Sequence, residues 1–276
     1  MRRQNKDMLK QKLLLVGTLV AVGLFITSLI ALKGNGQSSQ FRAAEPTKAA
    51  VGQAAKQLDD DARPVVDFND ANTLNPSDRI SRKLKNARYD KYGAVNSQGN
   101  PPSGEVIWEP EWSVGLTDLP VEKSDVLIEG IVERSRAFLS GDKTGVYSEF
   151  AVKVSNVLKV NGDVVVNVGD DVITERFGGK VRYPNGQVVL YRIEGQGTPI
   201  IGKRYIFFLA KVGQGNYKLV TAYEIQDKSV FALDGSRINF RGKGHWVFDK
   251  HNGENLESFR DQLEKVISNS PGGLKP

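Results

Sequence analysis

The chain has 276 residues, 39% of them hydrophobic and 25% charged, a globular composition with room for one sizeable domain or two small ones. It contains no cysteine, which excludes disulfides, thiolate metal sites, cysteine nucleophiles and a lipidated N-terminal cysteine together. The net charge of +6 sits at the front: residues 1–33 carry +5, residues 34–105 carry +1 and residues 106–276 are neutral, so the C-terminal part lacks the basic surface that a nucleic-acid binder carries.

Residues 1–12 form a basic tail with Arg2, Arg3, Lys6, Lys10 and Lys12. From Leu13 to Leu32 run 20 residues without a charge. At about 1.5 Å rise per residue, such a helix spans a hydrocarbon core of roughly 30 Å. The basic flank orients the tail to the cytoplasm and the remaining chain to the outside. A cleaved signal peptide is the competing reading. Its apolar region is shorter, about 7–15 residues, and ends in a small-x-small site. The run here ends Leu29-Ile30-Ala31-Leu32-Lys33 with no such site close behind, which favours an uncleaved anchor. The expected place is the cell membrane, single-pass, with an extracytoplasmic domain; cleavage would make that domain secreted.

Residues 33–103 read as a flexible linker, poor in apolar periodicity and rich in Gly, Ser, Gln, Ala and Asp over 33–75. Asp59-Asp60-Asp61 reads as a solvated charge run. Within the linker, residues 77–92 predict a short basic helix that Ser77 or Asp78 can cap, with Ile80, Leu84 and Ala87 at helical spacing. Six basic residues there, Arg79, Arg82, Lys83, Lys85, Arg88 and Lys91, stand against Asp78 and Asp90. That is the pattern of a solvated spacer, or of a contact with an anionic surface such as lipid headgroups or wall polymer.

Residues 104–249 have the texture of strands and tight turns. Val126, Ile128 and Val132 alternate, and so do Phe150, Val152 and Val154 across the turn SGDKTG. Asn161-Gly162 and Pro184-Asn185-Gly186 predict hairpins, with Val164–Val166 and Val172–Arg176 as further strand. Tyr205–Val212 predicts a strand buried on both faces. Residues 250–270 predict a C-terminal helix with Leu256, Phe259, Leu263, Val266 and Ile267 on one face and Asn252 or Asn255 as cap; residues 271–276 are a tail.

The expected fold is mainly β, a small antiparallel β-barrel or sandwich, with an N-terminal transmembrane helix and a C-terminal amphipathic helix that covers the barrel or its open end. From Asp125 to Leu233 the stretches LIEGIVERS, YSEFAVKVSNVLK, GKRYIFFL and YKLVTAYE resemble OB-like barrels, including the netrin-type modules of extracellular proteins. The cysteines that mark netrin-type modules are absent, so the resemblance implies fold and not protease inhibition. The build also resembles membrane-anchored bacterial envelope proteins, for which no activity is implied.

Motifs for chemistry are few. Gly197–Lys203 matches G-x-x-x-x-G-K, but Arg204 replaces the Ser or Thr that holds magnesium, and a strand follows instead of a helix. His245 and His251 read as surface residues, too few for a metal site. No G-x-S-x-G elbow occurs. In Trp108-Glu109-Pro110-Glu111-Trp112 the tryptophans offer a sugar platform and the acids a carboxylate pair, although such tryptophans also serve to anchor a chain to its domain. No cofactor and no metal are expected. The partners expected are membrane lipid at the N-terminal helix and an envelope protein or glycan outside; nucleic acid is not. The expected function is a non-enzymatic binding or scaffolding module, with an envelope enzyme acting on glycan or wall polymer by carboxylate catalysis as the alternative.

Overall fold

The computed structural model describes residues 57–70, 76–108, 112–162, 164–213, 215–235 and 246–270, all within the unit Pro46–Pro276. The expected anchor Leu13–Leu32, the residues Arg2, Arg3, Lys6, Lys10 and Lys12 expected to orient it, and Glu109, Glu111 and His245 lie outside them. Among the described residues no helix is long and apolar enough to cross a membrane.

The fold is mainly β with antiparallel sheets, as expected. In chain order it comprises β1 (Val65–Asp67), α1 (Pro76–Ala87), β2 (Val106–Trp108), β3 (Val126–Leu139), β4 (Val146–Val160), β5 (Asp171–Phe177), β6 (Gly179–Arg182), β7 (Val188–Ile193), β8 (Arg204–Gly213), β9 (Asn216–Gln226), β10 (Ser229–Ala232), β11 (Glu254–Asn255) and α2 (Leu256–Asn269). β3 and β4 form a long hairpin around the predicted turn, closed by Ser140 N–H on the Gly145 carbonyl at 2.9 Å. β4 pairs antiparallel with β5, and β3 pairs antiparallel with β8. β9 pairs antiparallel with β8 and parallel with β5. The pairings β3-β4-β5-β9-β8 therefore return to β3 and close a circuit.

Strand alternation divides the core. Val126, Ile128, Phe150, Val152, Tyr205 and Phe207 form one cluster. The opposite parity of β8, Ile206 and Phe208, joins Leu127, Tyr223 and the stripe of α2 in another. β8 is thus buried on both faces, as its unbroken apolar run predicts. α2 lies against strand faces rather than an open end. Asn255 caps it by accepting from Glu257 N–H and Ser258 N–H. Fully burying side chains such as Phe259 and Leu263 contributes about 1.5–3 kcal/mol each.

A second sheet has the order β1-β6-β7-β2 and packs on the tip of the β3–β4 hairpin through Val66, Phe68, Val181, Tyr191, Leu139 and Val146. Part of the segment read as linker is therefore built into the fold ahead of Gly104: β1 pairs parallel with β6, and Val66, Phe68, Tyr89 and Val95 are buried. Asp59 is likewise not a solvated charge but is 4% exposed; its carboxylate accepts from Arg63 Nη2 at 2.7 Å and from the Thr198 N–H. Val164–Val166 is no strand. Residues 164–167 have no regular structure, and the Asn161 N–H bonds the Asp125 carbonyl at 2.8 Å, which ties the turn to the start of β3.

Candidate functional site

On the face of β4 and β5 away from the first cluster, Glu149 stands directly opposite Glu175, and Tyr147 opposite Phe177. Like charges opposed across a ladder destabilise it. Here cations from α1 and its C-terminal extension offset the repulsion. Arg82 binds Glu149 with two nitrogens at 2.7 and 3.0 Å, and Lys85 adds a third donor at 2.8 Å. Arg88 binds Glu175 with Nε and Nη2 at 2.8 and 2.7 Å. Tyr147 donates to Asn86 Oδ1 at 2.7 Å. Burial pushes the Glu149 carboxyl upward, but the hydrogen bonds and charges of Arg82 and Lys85 outweigh it and hold the pKa below the usual carboxylate range. Aromatic rings extend the contact: Tyr89 stacks on Tyr147 at 4.3 Å, Tyr92 on Phe177 at 4.6 Å, and the Arg82 guanidinium lies 3.5 Å from the Phe138 ring centroid.

The basic helix is therefore neither a solvated spacer nor free for an anionic surface through Arg82, Lys85 and Arg88. Its polarity is inverted relative to the usual amphipathic rule. The basic face is buried on the sheet, while Ile80 and Leu84 are 72% and 65% exposed.

Beside this contact is a cavity of about 570 Å³. It opens where the parallel pairing of β5 and β9 ends after Glu175–Lys218. Past that pair a side chain joins the strands: Arg176 Nη2 donates to the Val220 carbonyl at 3.1 Å. Arg176 also forms a two-point pair with the fully buried Asp234 at 2.6 and 3.0 Å, and Nη1 donates to the Gly197 carbonyl at 2.8 Å. Asp234 additionally accepts from Gly197 N–H and Thr221 Oγ1. On the other side of the same loop, Arg63 Nη2 donates to the Gln196 carbonyl at 2.8 Å. Two buried Arg–Asp pairs thus fix the segment 196–198. Gly197 is required there, because a Cβ would stand 2.1 Å from the Leu233 carbonyl oxygen.

The cavity walls combine three chemistries. Tyr89, Tyr92, Trp112 and Phe177 supply rings, and Ile193, Val212 and Leu219 supply aliphatic surface. Arg88, Arg176, Lys218, Glu175 and Gln196 supply the polar groups. Both Glu175 oxygens are engaged by Arg88, and Tyr89 Oη adds a bond to one of them at 3.2 Å. Arg176 Nε and Gln196 Oε1 are buried without a hydrogen-bond partner. Buried polar atoms in this state are what a bound ligand or ordered water satisfies.

Of the residues expected from the Trp-Glu-Pro-Glu-Trp run, Trp112 reaches the cavity. Its ring stacks on Trp246 and Phe248 at 5.9 Å each, and Nε1 donates to the Glu194 carbonyl at 3.0 Å. It is an anchor as well as a wall. The side chain of Trp108, with Glu109 and Glu111, lies outside the described residues. Arg88 stands out only as one of the basic residues of 77–92, and Glu175, Arg176, Gln196 and Lys218 carry no motif that would have marked them.

His251 is a correction to its surface reading. It is 1% exposed, with Nδ1 2.7 Å from Glu254 and Nε2 3.1 Å from Asp118. It joins the loop before β3 to the start of α2. Burial raises the Asp118 carboxyl, but bonds from Lys250 and His251 more than offset this and leave its pKa lowered; Glu254 is lowered by the same opposition of burial to bonds from His251 and Ser258. Among the described residues, no three His, Asp or Glu side chains group in an arrangement that would hold a metal ion.

No protein-family model, no curated protein and no solved structure matches this chain.

Proposed function

We propose that this is a single-pass membrane protein whose exported part is a binding or scaffolding module on an OB-like barrel, with the β5–β9 cavity as its ligand site. Support for the OB-like reading is the five-strand circuit with a single parallel pair, β5 with β9. OB barrels bind oligosaccharides and oligonucleotides on the face of their second and third strands. The corresponding strands here are β4 and β5. α1 covers part of that face, and the cavity lies at its border. The neutral charge of residues 106–276 disfavours a nucleic acid and favours a glycan or envelope protein. The uncharged run Leu13–Leu32 and its basic flank support export and anchoring.

The observation that carries the proposal is the cavity itself: ring-lined, with two buried polar atoms left unpaired. The one carboxylate on its wall, Glu175, is committed to Arg88 and Tyr89, which supports binding over carboxylate catalysis at this place. The test uses the full chain in detergent micelles, mixed with wall polymer from the producing cells. Expected are co-sedimentation and a shift of tryptophan emission that Trp112→Phe abolishes, with no release of reducing sugar. Release of reducing sugar by the purified chain overturns the binding-module reading in favour of the enzyme.

A further inference from the structure

We propose that the cavity takes a sugar ring bearing one carboxylate; this rests on reading the cavity as a ligand site. The rings of Tyr92 and Trp112 give flat apolar walls suited to a ring face. The polar inventory is rich in donors. Arg88 spends Nε and Nη2 on Glu175 and keeps Nη1. Arg176 is 3% exposed and its Nε has no partner. Lys218, opposite Glu175 on β9, is exposed and makes no ion pair among the described residues. Acceptors are scarce: both Glu175 oxygens are taken, and Gln196 Oε1 is left to receive a hydroxyl.

Charge sets the valence of the ligand. On the wall, the cations Arg88, Arg176 and Lys218 stand against Glu175; Asp234, off the wall, neutralises Arg176 as its ion-pair partner, leaving one net positive charge. That balance suits a monoanion. A phosphate, near −2 at neutral pH, would leave the site with excess negative charge. A neutral sugar would leave the donors short of an anionic acceptor, and charge-assisted bonds are roughly twice as strong as neutral ones.

The experiment is calorimetric titration of the full chain in detergent micelles at low salt with sodium D-glucuronate, D-glucose and glucose 6-phosphate. A glucuronate-terminated disaccharide run alongside separates a free acid from a polymer end, the tighter of the two being the source. Glucuronate is expected to saturate at one per chain and to bind at least about tenfold more tightly than either of the other monosaccharides. Lys218→Glu, at an exposed position, is expected to weaken glucuronate at least about tenfold, and Lys218→Gln, which sets no carboxylate opposite Glu175, to weaken it in the same direction without moving the melting temperature. Equal binding of glucose overturns the anionic ligand while leaving the cavity a ligand site. Tighter binding of glucose 6-phosphate overturns the single carboxylate. An unchanged affinity in Lys218→Glu removes the cavity from the sugar's binding site. Failure of all four probes, with Trp112 emission also unmoved by wall polymer, overturns the cavity reading as well.

Discussion

Replacing Glu149 by Gln isolates the force that holds α1 on the sheet. The carboxylate accepts from Arg82 twice, at 2.7 and 3.0 Å, and from Lys85 at 2.8 Å. The side chains are 12%, 15% and 10% exposed for Glu149, Arg82 and Lys85, so the cluster is largely shielded from solvent. Removing one partner of a fully buried pair costs about 3–5 kcal/mol. Residual solvent access and the amide oxygen that Gln retains reduce this, as does relief of the repulsion with Glu175, to about 2–3 kcal/mol. Within α1 itself little apolar burial resists release, because Ile80 and Leu84 face outward and the aromatic anchors Tyr89 and Tyr92 lie beyond its C-terminal end. The loss therefore falls on docking of α1 before global stability. Hydrogen exchange of the 80–92 peptide should then accelerate about 30- to 150-fold in Glu149→Gln, with the core of β8 unchanged. The pH sign follows from the lowered pKa of Glu149: the stabilisation is complete above the ordinary glutamate range, near about 4.3, and is lost as pH falls through the lower folded value. Wild-type α1 should therefore stay docked at pH 5 and release in stronger acid. A change in 80–92 exchange below about threefold for Glu149→Gln would refute the electrostatic account.

Three further outcomes follow from the same geometry. Arg176→Met leaves Asp234 as a buried unpaired charge and should cost about 3–5 kcal/mol, lowering the melting temperature by roughly 6–20 °C in scanning calorimetry; a drop below about 3 °C would contradict it. His251→Ala removes the partner shared by Asp118 and Glu254 and should cost about 1–3 kcal/mol at pH 7. Because both carboxyls are lowered, the wild type should lose more stability than this variant as pH falls through the acid range, and parallel acid profiles in thermal melts would count against the clamp. A reporter enzyme fused after Pro276 should be active outside the cytoplasm, and cytoplasmic activity would sink the expected topology.

What the sequence made legible is what local patterning determines. The unbroken apolar run of β8 reports burial on both faces, and the stripe of α2 with its Asn255 cap reports a packed helix. α1 is legible as a helix, but its docking is not. A basic face normally marks solvent, and nothing near Arg82 announces acids 67 residues away. The parallel pairing of β5 with β9 is equally silent, because it joins Ile173 to Asn216 with no local signature. The site follows the same division. Trp112 stood out in the Trp-Glu-Pro-Glu-Trp run, whereas Arg176 lies inside the ordinary strand DVITERF and gains its meaning from Asp234, 58 residues on. Asp59 misled because a run of three acids usually reports solvation; one of them is drawn inward by Arg63 and the Thr198 N–H.

The central claim is that the cavity at the end of α1 is where the module meets its ligand outside the membrane. Photo-crosslinking in the producing cells tests it directly, with p-benzoylphenylalanine placed at Tyr92 on the cavity wall or at the outward-facing Ile80. The account predicts covalent capture of glycan or of an envelope protein from position 92, suppressed by Lys218→Glu, and little from position 80. Equal capture from both positions, or none from position 92, would contradict it.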